Sequence, residues 1–187
     1  MLGAVAVSWD RPVEVARADA AQVLILGDSL AVGMQDFLAE MITDREVTFD
    51  VGNGWTTPRG MQRLRIDLQR YAPQSVVVSL GTNDGAHPGV FKDRVRRVLD
   101  TIGANTCIVW LTIVRPPRKG PYEGMNRVLR DAAREDSRLQ LINWDRMVHK
   151  GTVAMRDGVH PTVEGYRFRA WVTKAAVERG CAASRPA

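Results

Sequence analysis

The strongest constraint on the fold is an alternation, repeated five times, of a short apolar segment with a longer segment of helical periodicity. The apolar segments have the length and composition of buried strands, and they occupy residues 23–26, 47–51, 75–80, 107–114 and 139–142. Strands that are apolar throughout and separated by helices are typical of a parallel sheet covered on both faces. The pattern therefore predicts an α/β fold around a five-stranded parallel sheet.

The helical segments are recognised by apolar side chains that recur on one face. They run from about 30 to 41, from Pro58 to about 71, through 91–102 and 125–132, and from about 161 to 179. The side chains predicted to face the sheet are Val32, Leu38 and Met41 in the first segment, Met61, Leu64, Leu68 and Tyr71 in the second, Phe91, Val95, Val98 and Ile102 in the third, Met125, Val128, Leu129 and Ala132 in the fourth, and Phe168, Trp171, Val172 and Ala175 in the last.

The length of the chain limits the number of domains. Its 187 residues, 45% of them apolar, suffice for one well-buried core and are too few for two ordinary domains. No apolar run approaches the roughly 20 residues that cross a bilayer, so no integral membrane segment is predicted. We expect a single domain over residues 22–180, with an N-terminal extension over 1–21 and a C-terminal tail over 181–187.

The formal net charge is +5, and basic residues stand beside acidic ones along the chain. A nucleic-acid binder would concentrate its basic residues on one face or in one tail, so no nucleic-acid partner is predicted. We interpret the excess as solvated helix surface, with an acidic partner or an anionic cell surface as the alternative. His87, His149 and His160 lie far apart in the sequence, and neither a metal site nor a cofactor is predicted.

Candidate functional residues follow the predicted strands, because ligands of parallel α/β sheets bind beyond the carboxyl ends of the strands. Ser29 stands at the first strand-to-helix turn, where it could also be only a helix cap. Asn83 follows the third strand in a segment that could also be an ordinary turn. Asp157 precedes His160 by three residues, a spacing that lets a carboxylate orient an imidazole. With Gly52-Asn53-Gly54, a glycine loop after the second strand that could also be an ordinary loop, they supply a nucleophile, a base with its orienting acid, and three donors for an oxyanion.

The same segments resemble the ordered motif blocks of the SGNH (GDSL) hydrolase superfamily. The matching segments are Gly27-Asp28-Ser29-Leu30, Gly54, Gly81-Thr82-Asn83-Asp84 and Asp157-Gly158-Val159-His160, and the likeness covers roughly residues 22 to 178. The resemblance implies a flavodoxin-like, three-layer α/β/α fold. It also implies that Ser29 is the nucleophile, His160 the base and Asp157 the third member of a catalytic triad.

The resemblance further implies an oxyanion hole. Its donors would be the backbone N–H of Ser29, the backbone N–H of Gly54 and the side-chain amide of Asn83. Gly52 could be aligned in place of Gly54, since both glycines lie in the same loop. Asp28 corresponds to a structural aspartate of the family and is not expected to be catalytic.

A narrower likeness concerns residues 108–116, 122–126 and 142–144, which are similar to the extracytoplasmic SGNH domains attached to membrane acyltransferases. Those domains O-acetylate cell-wall or surface glycans, whereas this sequence carries no membrane portion. The favoured interpretation is a serine esterase that acts on a small-molecule, lipid or carbohydrate ester through an acyl-Ser29 intermediate. The alternatives are an O-acetyltransferase or deacetylase of glycans, and a non-catalytic carbohydrate-binding protein with this fold.

Residues 115–124 follow the fourth strand and are expected to border the site. The segment is rich in proline and glycine, which indicates a loop. It could be a simple connector or a wall that binds substrate through Arg115 and Tyr122. In the second case Arg115, Arg118 and Lys119 would favour acidic or phosphate-bearing substrates.

The two cysteines, Cys107 and Cys181, have no metal-binding spacing. Cys107 begins a strand and Cys181 follows the last helix, so both are expected at the edge of the sheet opposite the site. They could form a disulfide or remain as two thiols. A disulfide would favour an exported or cell-envelope protein over a cytoplasmic one.

Overall fold

A computed structural model describes residues 22–116 and 122–180. Its centre is a parallel sheet in the order β2-β1-β3-β4-β5. The strands are β1 (Val23–Gly27), β2 (Val47–Val51), β3 (Ser75–Ser79), β4 (Cys107–Leu111) and β5 (Leu139–Ile142). The predicted five-stranded parallel sheet is therefore confirmed.

Helices cover both faces of this sheet. They are α1 (Ser29–Met41), α2 (Thr57–Tyr71), α3 (Pro88–Thr101), α4 (Tyr122–Glu135), α5 (Trp144–His149) and α6 (Val163–Arg179). Side chains at alternate strand positions point to opposite faces, so Leu24 packs in a core with α2, α3 and α4, while Ile25 packs in a second core with α1 and α6. The architecture is the three-layer α/β/α sandwich that the resemblance implied.

Two strands end earlier than the sequence pattern predicts, β3 at Ser79 and β4 at Leu111. Leu111 pairs with Ile142, the last residue of β5, so residues beyond it have no neighbouring strand. The side-chain amide of Asn126 makes the hydrogen bonds that a neighbouring strand would make. Its Oδ1 accepts the N–H of Ile113 at 2.7 Å, and its Nδ2 donates to the carbonyl of Ile113 at 2.8 Å. The end of β4 is thus set by contacts that an apolar run does not reveal.

The predicted inward faces of two helices need correction. Val32 is 37% exposed and Trp171 is 56% exposed, although both were expected to face the sheet. The buried face of α6 follows the spacing of Arg169, Val172 and Ala176, which turns Trp171 outward. The apolar pattern misplaces this face because a charged residue, Arg169, belongs to it.

Helix α5 was not predicted, because its six residues are too few to show a helical repeat. Within residues 22–116 and 122–180, no helix combines the length and apolar character needed to cross a membrane. Cys107 is buried at the start of β4, but Cys181 lies outside the described residues, so their pairing stays a prediction. The same holds for the terminal segments 1–21 and 181–187 and for Arg118 and Lys119.

Candidate active site

The candidate nucleophile stands at the carboxyl edge of the sheet, where β1 passes into α1 through a single residue. Ser29 is the first residue of α1, and the Asp28 carboxylate caps the helix by accepting the N–H of Leu30 at 3.0 Å. This cap leaves the N–H of Ser29 without a hydrogen bond among the described residues. The hydroxyl and a free N–H therefore lie together at the positive end of a helix.

The candidate base reaches Ser29 from the loop before α6. His160 Nε2 lies 3.0 Å from Ser29 Oγ, and His160 Nδ1 lies 2.8 Å from Asp157 Oδ2. The structure thus brings together the three side chains that the sequence singled out as nucleophile, base and orienting acid. His87 and His149 are not part of this arrangement, since His87 precedes α3 and His149 ends α5.

Backbone contacts fix the carboxylate of Asp157. Its Oδ1 accepts the N–H of His160 at 2.7 Å and the N–H of Val159 at 3.0 Å, and its Oδ2 faces the imidazole. These hydrogen bonds, first among them the one from the His160 backbone, hold the pKa of Asp157 far below its usual range. The carboxylate therefore stays ionised and can orient the ring.

The glycine loop after β2 distinguishes between the two candidate donors. The N–H of Gly52 is occupied, because it donates to the carbonyl of Gly27 at 3.0 Å. Gly54 is exposed, and its N–H makes no hydrogen bond among the described residues. Its φ of +73° and the open space where a side chain would stand suit glycine. Gly54 therefore has the free N–H that an oxyanion site requires.

Asn83 connects this loop to Asp28, the residue that precedes Ser29. Its Nδ2 lies 3.0 Å from the carbonyl oxygen of Trp55 and 3.4 Å from Oδ2 of Asp28. The next residue, Asp84, accepts the N–H of Thr57 at 2.7 Å and forms an ion pair with Arg94 at 3.1 Å. These contacts hold the turn after β3 against the start of α2, with the amide of Asn83 beside the carboxylate of Asp28.

A buried arginine lies behind the site, and sequence reasoning missed it. Arg169 is 1% exposed, and its Nη2 donates to Oγ of Ser79 at 3.0 Å. Its guanidinium also lies over the indole ring of Trp144 at 4.6 Å. The carbonyl of Ser79 in turn accepts the N–H of Asp28 at 3.0 Å, so Arg169 and Asp28 both bind Ser79 at the end of β3. The sequence feature that could have indicated its burial is that Arg169 shares one face of α6 with small and apolar residues.

The two buried charges influence each other's protonation. Burial raises the pKa of Asp28 to about 6, although the N–H of Leu30 and the positive charge of Arg169 act in the opposite direction. Burial lowers the pKa of Arg169 to about 10, and the negative charge of Asp28 opposes that change. At neutral pH both groups are therefore charged, and each compensates part of the other's desolvation.

The two candidate substrate-binding residues meet at one backbone carbonyl. Arg115 Nε donates to the carbonyl oxygen of Thr82 at 2.8 Å, and the hydroxyl of Tyr122 donates to the same oxygen at 3.3 Å. Tyr122 is 6% exposed, whereas Arg115 is half-buried. Because Thr82 precedes Asn83, both side chains help to hold the turn that carries the amide. No cluster of three metal-ligating side chains occurs in the part of the chain that the structure describes.

The hydrogen-bonded series from Ser29 through His160 to Asp157 is the arrangement by which serine hydrolases activate a hydroxyl group. Residues 25–168 match the model of the GDSL-like lipase/acylhydrolase family, and the chain belongs to this family. An arylesterase of Vibrio mimicus is 30% identical over 164 residues, which cover 76% of this chain and 81% of that protein. The protein is a carboxylic ester hydrolase of the SGNH type.

Solved structures share the fold at lower sequence identity. The lipase/acylhydrolase from Enterococcus faecalis superimposes with a TM-score of 0.73 at 18% identity, covering 88% of this chain and 99% of that one. The C-terminal catalytic domain of Streptococcus pneumoniae peptidoglycan O-acetyltransferase A gives a TM-score of 0.71 at 20% identity, covering 86% and 93% of the two chains. Esterase EstA from Pseudoalteromonas sp. gives 0.68 at 20% identity, covering 85% and 97%.

Proposed function

We propose that the protein hydrolyses its ester substrate through an acyl-Ser29 intermediate. The observation that carries the proposal is the 3.0 Å contact between Ser29 Oγ and His160 Nε2, with the Asp157 carboxylate 2.8 Å from the other ring nitrogen. This geometry lets the imidazole accept the serine proton while the carboxylate compensates the positive charge that develops.

The first half of the reaction forms the acyl-enzyme. Ser29 Oγ attacks the ester carbonyl carbon, and His160 Nε2 takes the hydroxyl proton. The carbonyl oxygen becomes an oxyanion, which accepts hydrogen bonds from the N–H of Ser29, the N–H of Gly54 and the amide of Asn83. The intermediate then collapses, the bond to the alcohol oxygen breaks, and His160 returns the proton to the leaving alcohol.

The second half releases the acid. A water molecule gives a proton to His160 and attacks the carbonyl carbon of acyl-Ser29. The resulting oxyanion uses the same three donors. When this intermediate collapses, the carboxylic acid leaves and Ser29 Oγ recovers its proton from His160. Acyl transfer to a glycan hydroxyl would differ only at this stage, because the glycan oxygen would attack in place of water.

The first substrates to assay are chosen from the relatives of the protein. The Vibrio mimicus protein is named an arylesterase, so we propose phenolic esters as the first substrates to assay. A panel of 4-nitrophenyl esters of increasing chain length measures which acyl groups fit. Analysis of products with and without a glycan acceptor then separates hydrolysis from acyl transfer, since only transfer forms an acylated glycan.

The decisive test combines substitution with covalent labelling. Ser29→Ala should abolish ester turnover, and a fluorophosphonate probe should label the wild-type protein once, at Ser29. Ser137→Ala is the matched control, because Ser137 is an exposed serine between α4 and β5. Turnover that survives in Ser29→Ala, or a label found on another residue, would contradict the proposed mechanism.

A further inference from the structure

Arg115 has hydrogen-bonding capacity that the proposed mechanism does not use. Its Nε is bound to the carbonyl of Thr82, and its guanidinium lies 5.9 Å from the ring centre of Tyr122. The two terminal nitrogens, Nη1 and Nη2, form no hydrogen bond with the described residues. Since the side chain is only half-buried, Nη1 and Nη2 can donate hydrogen bonds to a ligand, while the hydrogen bond from Nε holds the guanidinium in place.

Contacts on both sides place Arg115 at the mouth of the active site. On one side it binds Thr82, which directly precedes the oxyanion donor Asn83. On the other side the next residue, Pro116, packs on Gly158, where an added Cβ would lie 3.0 Å from Pro116 Cγ. Gly158 lies between the triad residues Asp157 and His160 in the sequence. The segment that carries Arg115 therefore joins the amide side of the site to the imidazole side.

Two further arginines lie close to the catalytic segments. Arg59 lies over the indole ring of Trp55 at 5.7 Å, and the carbonyl of Trp55 accepts the amide of Asn83. Arg156 donates its backbone N–H to the carbonyl of His160 at 2.7 Å. Within residues 22–116 and 122–180, none of Arg59, Arg115 and Arg156 forms an ion pair.

The carboxylates of the same region, in contrast, are already occupied. Asp28 is buried beneath the nucleophile, and Asp84 is paired with Arg94. Asp157 is committed to His160 and to two backbone N–H groups. Asp157 keeps its charge and its side chain is 50% exposed, but both of its oxygens already accept hydrogen bonds. Among the described residues, Arg59, Arg115 and Arg156 are therefore the charged groups near the site that lack a charged partner, and Arg115 is the best ordered because a 2.8 Å hydrogen bond fixes its guanidinium.

We propose that Arg115 binds an anionic group, in the first place a carboxylate, on the ester substrate. A guanidinium whose two terminal nitrogens point the same way matches the two oxygens of a carboxylate, and its position at the mouth places that group near the scissile bond. The enzyme then prefers esters that carry a negative charge over neutral esters of the same size. This inference rests on the proposed ester hydrolysis and names the class of substrate for it.

The experiment compares matched pairs of esters by their kcat/KM values. Mono-4-nitrophenyl adipate and its methyl ester differ by a charge on the acyl side, and the chain is too long for the carboxylate to attack its own ester readily. Sodium 4-acetoxybenzoate and its methyl ester differ by a charge on the alcohol side. We expect the wild type to prefer the charged member of at least one pair, and the pair that shows the preference locates the anion. Raising the salt concentration from about 0.05 M to about 0.5 M should reduce the preference.

Arg115→Gln should lower the ratio of charged to neutral kcat/KM about tenfold, the effect of one charge-assisted hydrogen bond at a half-exposed site. Arg115→Lys should keep part of the preference for the charged ester, because lysine retains the positive charge but lacks the two parallel N–H donors of a guanidinium. The ratio is the informative quantity, since loss of the bond to Thr82 lowers the rates of both esters alike.

Two control variants separate recognition of the charge from support of the loop. Tyr122→Phe removes the second hydrogen bond to the Thr82 carbonyl without changing the charge, so it should leave the ratio unaltered. Arg96→Gln removes an exposed positive charge from α3 and should also leave the ratio unaltered.

Two results would overturn the inference. The first is a wild type that prefers the neutral member of both pairs or shows no preference. The second is an Arg115→Gln variant whose rates fall equally for charged and neutral esters, which would make Arg115 a positioning residue only. Either result leaves the proposed hydrolysis intact, because that proposal depends on the loss of neutral-ester turnover in Ser29→Ala.

Discussion

The side-chain amide of Asn83 lies 3.4 Å from the carboxylate of Asp28, and this contact joins the turn after β3 to the start of α1. The amide also binds the carbonyl of Trp55 at the shorter distance of 3.0 Å. A hydrogen bond of 3.4 Å is weak, so the N–H that faces Asp28 is the one that a substrate oxygen can most easily engage. Asn83 is thus held from one side and available on the other.

Asn83→Ala tests the role of this amide. We expect kcat to fall by on the order of 10²–10³ with a smaller change in KM, because an oxyanion donor acts mainly in the transition state. The thermal unfolding temperature should change little, since the side chain is only half-buried. Asn105→Ala, an exposed asparagine before β4, is the matched control, and an undiminished kcat in Asn83→Ala would exclude the amide from the oxyanion site.

Asp157→Asn tests the orientation of the imidazole. The amide can still accept the two backbone N–H groups at Oδ1, but it presents N–H rather than a carboxylate to Nδ1 of His160. The ring then favours the wrong tautomer, and kcat should fall by on the order of 10²-fold or more. The control is Asp131→Asn, which removes an exposed carboxylate paired with Arg134 on α4. An unchanged kcat would mean that another group orients the base.

Arg169→Met tests the electrostatic interaction between the buried charges of Arg169 and Asp28. Arg169 and Asp28 form no direct ion pair, but removing the arginine leaves the Asp28 carboxylate buried without a compensating positive charge. The free energy of unfolding in urea at pH 7 should therefore fall by about 3 kcal/mol. The double variant Asp28→Asn with Arg169→Met should lose less than the sum of the two single variants, because it removes both charges together. Strictly additive losses would show that the two side chains do not interact.

The pH dependence of stability offers a separate test of Asp28. Its pKa is raised from 3.8 to about 6 in the folded protein, so the folded state binds this proton more tightly than the unfolded state. The stabilisation is fully present below pH 4 and is lost as the pH rises through about 6. The loss amounts to about 3 kcal/mol for a shift of this size.

Asp28→Asn should therefore flatten the fall in unfolding free energy between pH 4 and pH 6. Burial also raises the pKa of Asp67 to about 6. Since Asp67 is present in both proteins, the difference between wild type and variant isolates Asp28. A variant whose pH profile runs parallel to that of the wild type would contradict the assignment.

Much of the site was predictable because its residues follow strands directly. In a parallel sheet the ends of neighbouring strands meet at one edge, so Ser29 and Asn83 had to approach each other once the strands were recognised. The position of the strand ends does not tell which of Gly52 and Gly54 has the free N–H for an oxyanion. The answer depends on whether the N–H of Gly52 continues the pairing with β1, which the sequence does not reveal.

The features that escaped prediction depend on contacts between distant segments. The burial of Arg169 follows from its meeting with Ser79, 90 positions away, and the exposure of Trp171 follows from the same rotation of α6. The end of β4 depends on the length of β5 and on the side chain of Asn126. Local periodicity contains none of this information.

The close packing of α1 and α6 determines when activity can arise during folding. A Cβ at Gly33 would lie 2.3 Å from the ring of Tyr166, so the two helices touch one turn beyond Ser29. Ser29 and His160 are 131 positions apart, and His160 stands three residues before the helix that makes this contact. The sheet can therefore assemble while the enzyme is still inert. In a refolding experiment, we expect ester cleavage to begin only once the last helix has docked, and not before Trp110 is buried within the sheet.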